Sequence, residues 1–398
     1  MKRVLFVDDE VNVLSGLRRM LRGLRDQWHM EFASSGVEAL ELFAKAPFDV
    51  VVSDMRMPGM DGAQLLQEVR NRYPNTVRIV LSGQSEQERV LRAVGPAHQF
   101  LSKPCEAETI KSTIRRASAL RDELNSAELA GIVGRLESLP SLPQIYVDLV
   151  ELVDSDGAST GSVGELISSD PAMAAKVLQL VNSSFFSLPH RVVDPSHAVT
   201  LLGMERIRAL VLSASVFQQF EAGPFAPEVL EGLINHSLAV ATTARRIALQ
   251  CGGDTGLVEN AFTGGLLHDV GKIVVLSQLP DIWKKLIDAS REQHTPFWQI
   301  ERHTYGCTHA VLGAHLLSLW GLPDCLVEAV AWHHEPDCSA DKNFSPLTAV
   351  HVANVLQSHF APCDGEIDDT PLCVEYLERL NLPTELAAWD ARPSAAAS

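Results

Sequence analysis

The sequence predicts a doubly wound α/β domain with a five-stranded parallel sheet over about its first 120 residues, followed by an all-α region reaching about residue 380. Three observations carry this. Short apolar runs alternate five times with helical patterns, and such alternation builds a parallel sheet with helices on both faces. From Leu139-Pro140-Ser141-Leu142-Pro143 onward the strand signal stops and helical periodicity takes over. The chain of 398 residues is also too long for one ordinary core, so two or three domains are expected.

Strands are expected at 3–8, 29–33, 48–54, 76–82 and 98–102, with helices at 11–25, 36–46, 62–72, 85–93 and 105–122. The third strand organises the rest. Val50-Val51-Val52-Ser53-Asp54 is an apolar run closed by one carboxylate, and Met55-Arg56-Met57-Pro58-Gly59-Met60-Asp61-Gly62 turns at once. A run of that kind reads as a strand buried on both faces. Asp54 then stands at the strand's carboxyl end, where open α/β sheets form their ligand crevice. Val4-Leu5-Phe6-Val7 ends the same way, in Asp8-Asp9-Glu10. Carboxylates crowded at neighbouring strand ends repel unless a cation sits among them. A hard divalent ion such as Mg²⁺ suits few carboxylates plus waters and a phosphate oxygen.

Residues 120–137 continue as a polar–apolar helix, either a plain linker or a rigid extension of the last α/β helix. Asp170-Pro171 reads as a helix start with proline in the first turn. Met204 to Phe220 and Val229 to Leu249 read as long amphipathic helices. The expected organisation is an α/β domain at 1–122, a linker helix at 123–137, a helical domain at 138–385 and a disordered tail at 386–398.

Composition narrows the function. A hydrophobic share of 46% and a charged share of 21% describe a globular protein. A net charge of −17 argues against nucleic acid as the main partner, because DNA binding requires Lys/Arg contacts to phosphates. No helix-turn-helix or basic recognition helix stands out after residue 125. Seven cysteines (105, 251, 307, 325, 338, 363 and 373) are scattered and never spaced C-x-x-C, which fits a reducing compartment. The amino terminus is no signal peptide, and no apolar run approaches the ~20 residues that span a bilayer. A cytoplasmic location without membrane contact is expected.

Two more polar residues join the acids. Ser82 ends the fourth strand and Lys103 follows the fifth, so Asp8, Asp9, Asp54, Ser82 and Lys103 share one sheet edge. Asp54 can act as nucleophile, Ser82 can bond a phosphoryl oxygen, and Lys103 adds a positive charge. In this order and spacing, D-D-E, D-M-R-M-P-G-M-D-G, L-S-G and F-L-S-K-P-C resemble the receiver domain of two-component response regulators. The resemblance implies a flavodoxin-like fold and phosphotransfer from a histidine kinase to Asp54. It implies Mg²⁺ at Asp8, Asp9, Asp54 and the backbone carbonyl of Arg56, and a switch pair of Ser82 and Phe100. The family often has Thr and Tyr at the switch positions. Ser82 keeps the hydroxyl, whereas Phe100 cannot hydrogen-bond and leaves only a packing-driven rotamer change.

The helical region is rich in histidine: His236, His268-Asp269, His309 and His333-His334. Imidazole with carboxylate is a good set for Fe, Mn or Zn, and such an ion can activate water against a phosphodiester. L-P-S-L-P, S-S-D-P-A-M-A-A-K-V-L-Q-L-V-N-S-S-F-F and A-V-T-L-L-G-M-E-R-I-R-A-L resemble the HDOD domain, a relative of the HD phosphohydrolases. His268-Asp269 matches the HD signature, and His236, His309, His333 and His334 match ligand positions of the related HD-GYP phosphodiesterases. Asn354 stands where the pattern closes with aspartate, the G-Y-P element is absent, and Lys272 is placed to pair with Asp269.

The resemblances imply a response regulator whose HDOD output domain signals by contact without catalysis. The alternative is a phosphorylation-gated, metal-dependent phosphohydrolase acting on a cyclic dinucleotide. Expected partners are a sensor histidine kinase and a protein target of the HDOD domain, such as a kinase, a cyclic-dinucleotide enzyme or a chemoreceptor component. Homodimerisation is left open.

Overall fold

The computed structural model describes residues 1–82, 96–119, 127–136, 139–141, 143–155, 158–182, 191–204, 207, 218–219, 227–339, 343–360 and 370–390. The amino-terminal domain is built from β1 (Lys2–Val7), α1 (Val11–Met20), β2 (Trp28–Ala33), α2 (Gly36–Lys45), β3 (Val50–Asp54), α3 (Gly62–Arg72), β4 (Val77–Ser82), β5 (Gln99–Ser102) and α4 (Ala107–Ala119). The five strands form one parallel sheet in the order β2-β1-β3-β4-β5. Val4 to Val7 and Val50 to Val52 are buried at every position, whichever face the pleat gives them. That is the burial of a central parallel strand. The helix expected at 85–93 lies outside the described residues. The first helix is shorter than its pattern: it stops at Met20, and Arg22–Leu24 continue as a tighter 3₁₀ turn.

Caps explain where the helices begin. Ser35 accepts from the Glu38 N–H at the start of α2. Asp61 and Gln64 form a reciprocal capping box at the start of α3. At Gly62 a Cβ would stand 2.1 Å from the carbonyl oxygen of Asp54. Only glycine lets α3 start against the acceptor strand.

The expected linker helix appears as α5 (Ala127–Arg135) and packs back on the receiver-like domain. A Cβ at Gly134 would meet the carbonyl of Pro74 at 2.1 Å. Beside this contact lies Arg78 of β4, fully buried. Its guanidinium donates to the carbonyls of Pro96 (2.5 Å), Thr76 (3.2 Å) and Gly134 (2.6 Å), and stands 2.8 Å from His98 Nε2. No carboxylate is among these partners. Burial, with the nearby charge of Arg70, brings its pKa down to about 9.

The second domain is helical: α6 (Pro143–Asp154), α7 (Thr160–Ile167), α8 (Pro171–Val181), α9 (Pro195–Leu202), α10 (Pro227–Gln250), α11 (Thr255–Leu267), α12 (Val270–Gln278), α13 (Pro280–Gln293), α14 (Phe297–Tyr305), α15 (His309–Leu319), α16 (Asp324–Trp332), α17 (Pro346–Phe360), α18 (Val374–Arg379) and α19 (Leu386–Asp390). Asp170 caps α8 as expected, accepting from the Met173 N–H with Pro171 in the first turn. Val229 to Leu249 falls inside α10. Two expectations are corrected. The helix expected over Met204 to Phe220 does not reach its end, because Gln218–Gln219 (β7) pairs in parallel with Pro140–Ser141 (β6). Two-residue strands carry no alternation for a sequence pattern to show. Nor is 386–390 a disordered tail: α19 buries Trp389, whose carbonyl accepts from Arg246 at 2.8 Å. Residues 391–398 lie outside the described residues.

The two domains share one apolar cluster that runs from the sheet through α5 into α12, α13 and α15. Polar contacts add to it. Gln99 of β5 donates to the carbonyl of Ser318 (3.0 Å), Ser318 Oγ to the carbonyl of Arg116 (2.8 Å), and Arg116 pairs with Asp324 (2.8 Å). β5 is an edge strand of the sheet, and the end of α15 covers it. Among the described residues no helix is long and apolar enough to cross a membrane.

Candidate functional site

Two sites emerge. At the first, the pairing of Val7 with Ser53 sets Asp8 beside Asp54 at the carboxyl end of the sheet. Lys103, just past β5, donates its N–H to the carbonyl of Ser82 (2.8 Å). Its ammonium donates to Asp8 Oδ2 (2.7 Å) and to Asp54 Oδ1. The Arg56 N–H donates to Asp54 Oδ2 (2.5 Å) and the Glu10 N–H to Asp8 Oδ1 (2.9 Å). Asp8 is 1% exposed and Asp54 6%, so both are buried carboxylates. Ser82 and Phe100 are buried as well, Ser82 across from Ser102 and Phe100 across from Val80. Asp9 lies exposed at the rim.

Charge decides which ligand the pocket suits. Burial raises the Asp54 pKa above the ordinary carboxylate range, and Lys103 only partly opposes it. Burial also works against the Lys103 charge, yet hydrogen bonds to Asp54 and Asp8 lift its pKa above normal. Two buried carboxylates around one ammonium leave a net negative charge. That deficit, with oxygen-only donors, fits a hard divalent cation.

The second site is a buried knot of imidazoles around Asp269. Asp269 Oδ1 lies 3.1 Å from His309 Nε2 and 3.7 Å from His333 Nε2. Asp269 Oδ2 lies 3.0 Å from Lys272 Nζ, 3.3 Å from His268 Nε2 and 3.9 Å from His236 Nε2. His334 Nε2 reaches His309 Nε2 at 3.1 Å. The sequence-predicted Lys272–Asp269 pair is therefore present. The ammonium shares the aspartate with the surrounding rings, which also approach both of its oxygens. Among the described residues, two groups have ligand atoms within 4.8 Å of one another: Asp269, His309, His333 and His334, and His236, His268 and Asp269. The receiver acids do not converge in this way.

An outer layer orients the rings. His268 Nδ1 donates to the carbonyl of Gly265 (2.7 Å) and His333 Nδ1 to that of Val330 (2.8 Å). Each ring thereby turns its Nε2 toward the Asp269 carboxylate, at 3.3 and 3.7 Å. His309 Nδ1 and its own N–H both reach Glu301 Oε2, at 2.6 and 2.8 Å. His334 Nδ1 meets Thr370 Oγ1 at 3.0 Å. Outer partners of this kind fix the tautomer and raise ligand basicity. Asn354 does close the site, its Oδ1 3.0 Å from His236 Nε2. Glu301 and Thr370 escaped the sequence reading, since neither belongs to a motif and both are brought in by packing alone.

Titration follows from burial. His333 and His334 are held well below the usual imidazole range, by burial first and neighbouring rings second. His98 behaves likewise beside Arg78, and burial takes His351 down to about 4. Burial also opposes charge on His309, but Glu301 and Asp269 outweigh it and lift the ring to about 9. The four depressed rings bind fewer protons folded than unfolded, so stability is lost as pH falls below about 6.5. Each contributes up to about 1.4 kcal/mol per pH unit. His309 acts in the opposite sense, losing its contribution as pH rises through about 9. Melts in chelator are expected to show a steep drop in Tm from pH 6.5 to 5; a flat profile would contradict the buried neutral rings.

Gly271 lets α12 and α15 approach closely enough to bring Asp269 to His309. A Cβ there would stand 1.9 Å from the His309 carbonyl oxygen and 2.9 Å from the Gly313 nitrogen. Gly271→Ala must therefore push the helices apart. The expected loss is roughly 1–3 kcal/mol in urea unfolding, as for overpacked cores.

Comparison with known proteins decides the family. The model of the response regulator receiver domain matches residues 4–115, and that of the HDOD domain matches residues 139–336. The chain is a receiver–HDOD protein. An uncharacterised protein of Treponema pallidum is 26% identical to it over 227 residues, 57% of this chain and 43% of that one. The hydrogenase transcriptional regulatory protein HoxA of Cupriavidus necator is 38% identical over 116 residues, 29% of this chain and 23% of its own. The receiver–HDOD protein thus spans less than half the length of these relatives. Among solved structures, the MmoQ response regulator from Methylococcus capsulatus str. Bath aligns with a TM-score of 0.48 at 22% identity, covering 64% of this chain and 98% of that one.

Proposed function

We propose that this receiver–HDOD protein is a response regulator that accepts a phosphoryl group on Asp54 from a histidine kinase. The relay runs through an HDOD domain that acts by contact with a protein target. The supporting observation is the ammonium of Lys103 held between Asp54 and Asp8. A carboxylate oxygen of Asp54 attacks phosphorus as the P–N bond of the donor phosphohistidine breaks. Lys103 and the Ser82 hydroxyl then take up the new phosphoryl oxygens. Asp8, Asp9, Asp54 and the Arg56 carbonyl would hold Mg²⁺, which cancels charge on the incoming group. Phe100 serves as the packing half of the switch. Acetyl phosphate with Mg²⁺ is expected to add one phosphoryl group to the intact mass; no gain would end this reading.

A second reading is favoured by the convergence of the Nε2 atoms of His236, His268, His309 and His333 on the two oxygens of Asp269. His236, His268, Asp269, His309, His333 and His334 fit a borderline transition metal such as Fe, Mn or Zn. Such an ion supplies an activated water when bound. Glu301 positions His309 for this role and Asn354 withholds the charge a closing aspartate would bring. Elemental analysis of the purified protein tests binding. Hydrolysis of a cyclic dinucleotide with added Mn²⁺, lost in His268→Ala and Asp269→Ala, would replace the contact-only output with an enzymatic one.

A further inference from the structure

Helix α15 runs from the histidine–aspartate cluster to the first residue of β5, the strand whose far end carries Lys103. Its eleven residues, His309 to Leu319, are all buried. At 1.5 Å per residue it spans about 16 Å. Its first residue is His309, held by Glu301 and facing Asp269. Near its other end, the Ser318 carbonyl accepts from Gln99 and the Ser318 hydroxyl donates to the carbonyl of Arg116. Just beyond, the Gln99 side chain lies against Gly321, where a Cβ would be 3.2 Å from Gln99 Cδ. The helix is also held laterally. Gly271 and Gly313 bring the α12 and α15 backbones into contact, and Leu129 of α5 lines a small apolar cavity with Leu312, Glu301 and His309.

The receiver end is equally direct. Gln99 begins β5, a strand of four residues, and Lys103 follows it. Lys103 is the residue that bridges Asp8 and Asp54. A phosphoryl group on Asp54 offers new anionic oxygens to that ammonium and so acts on the end of β5. The other end of the same strand holds α15 through Gln99. A rigid, fully packed element moves as a unit, because close-packed interiors transmit displacement.

We propose that α15 couples the phosphorylation state of Asp54 to the histidine–aspartate cluster, so that phosphorylation of the receiver changes the order and ion affinity of the cluster. This rests on the phosphoryl-acceptor and metal readings above. By linkage, an ion in the cluster changes the receiver's affinity for a phosphoryl mimic by the same factor.

The experiment uses the full chain with Mg²⁺, and beryllium fluoride as the phosphoryl mimic. Two readouts are taken: amide exchange of residues 308–313, and the Kd of Co²⁺ followed by its visible absorption in the nitrogen-rich site. Beryllium fluoride is expected to change exchange at 308–313 and to shift the Co²⁺ Kd about 5-fold or more, the usual lower range of coupling. In Gln99→Ala, which leaves both sites intact, both responses are expected to collapse. Asp54→Asn should be silent to the mimic. Unchanged exchange at 308–313 in the native chain would overturn the coupling, as would full responses retained in Gln99→Ala. A chain that binds no Co²⁺ yet changes its exchange on addition of the mimic upholds the coupling and removes only the metal reading.

Discussion

An Asp54→Asn chain is expected to take up no phosphoryl group from acetyl phosphate and Mg²⁺, and the native chain to gain one. The substitution is close to isosteric, so the Arg56 N–H keeps an acceptor and β3 keeps its register. What disappears is the anionic oxygen that attacks phosphorus and one of the two carboxylates that hold Lys103. Fold and pocket shape survive, so loss of labelling cannot be assigned to unfolding. Lys103→Met should instead slow labelling by roughly 10²–10³-fold, the cost of removing one preorganised charge from a developing anion. A label that persists in Asp54→Asn would move the acceptor elsewhere.

The second large effect concerns Asp269→Ala. This carboxylate belongs to both ligand groups of the cluster and faces Lys272, itself fully buried. Burial alone would raise its pKa, but His268 and Lys272 hold it well below the ordinary carboxylate range. Removing it takes the paired carboxylate from Lys272 and leaves the protonated His309 to Glu301. Breaking a buried ion pair from one side costs about 3–5 kcal/mol. Urea unfolding in chelator should show a loss of that size, and Co²⁺ added to the variant should no longer bind in the cluster. Equal stability and equal Co²⁺ binding would mean that Asp269 is not the centre of the cluster.

Much of this was legible in the sequence because the amino-terminal sheet is parallel and buried. Four of the strands carry a short apolar run that ends at or just before a candidate site residue, Asp8, Asp54, Ser82 or Lys103; β2 is interrupted by His29 and Glu31 and leads to none. The histidines were visible as residue types, and the structure gathers His236, His268, His309, His333 and His334 around Asp269. Their orientation was not visible. Glu301, Thr370 and the carbonyls of Gly265 and Val330 decide which ring nitrogen faces the cluster, and packing alone brings them there. The same holds for Gln99, 219 residues from Ser318. A glutamine in a short strand reads as an ordinary edge residue until the helix that covers it is known. Trp389 escaped for another reason: the small residues around it dominate local composition, while one indole supplies enough apolar surface to hold a short helix.

The buried guanidinium of Arg78 bears on what counts as a separable part. The receiver family model ends at residue 115. One of the groups that solvates Arg78 is the carbonyl of Gly134, nineteen residues further on. A receiver excised at the family boundary would keep every phosphotransfer residue yet leave a cation short of an acceptor inside an apolar shell. A buried donor left unsatisfied costs about 1–3 kcal/mol, and more when charged. The segment that satisfies Arg78 therefore extends through α5 to Arg135. Chimeras that exchange receivers at residue 115 inherit an instability that has nothing to do with signalling, whereas junctions placed after α5 avoid it.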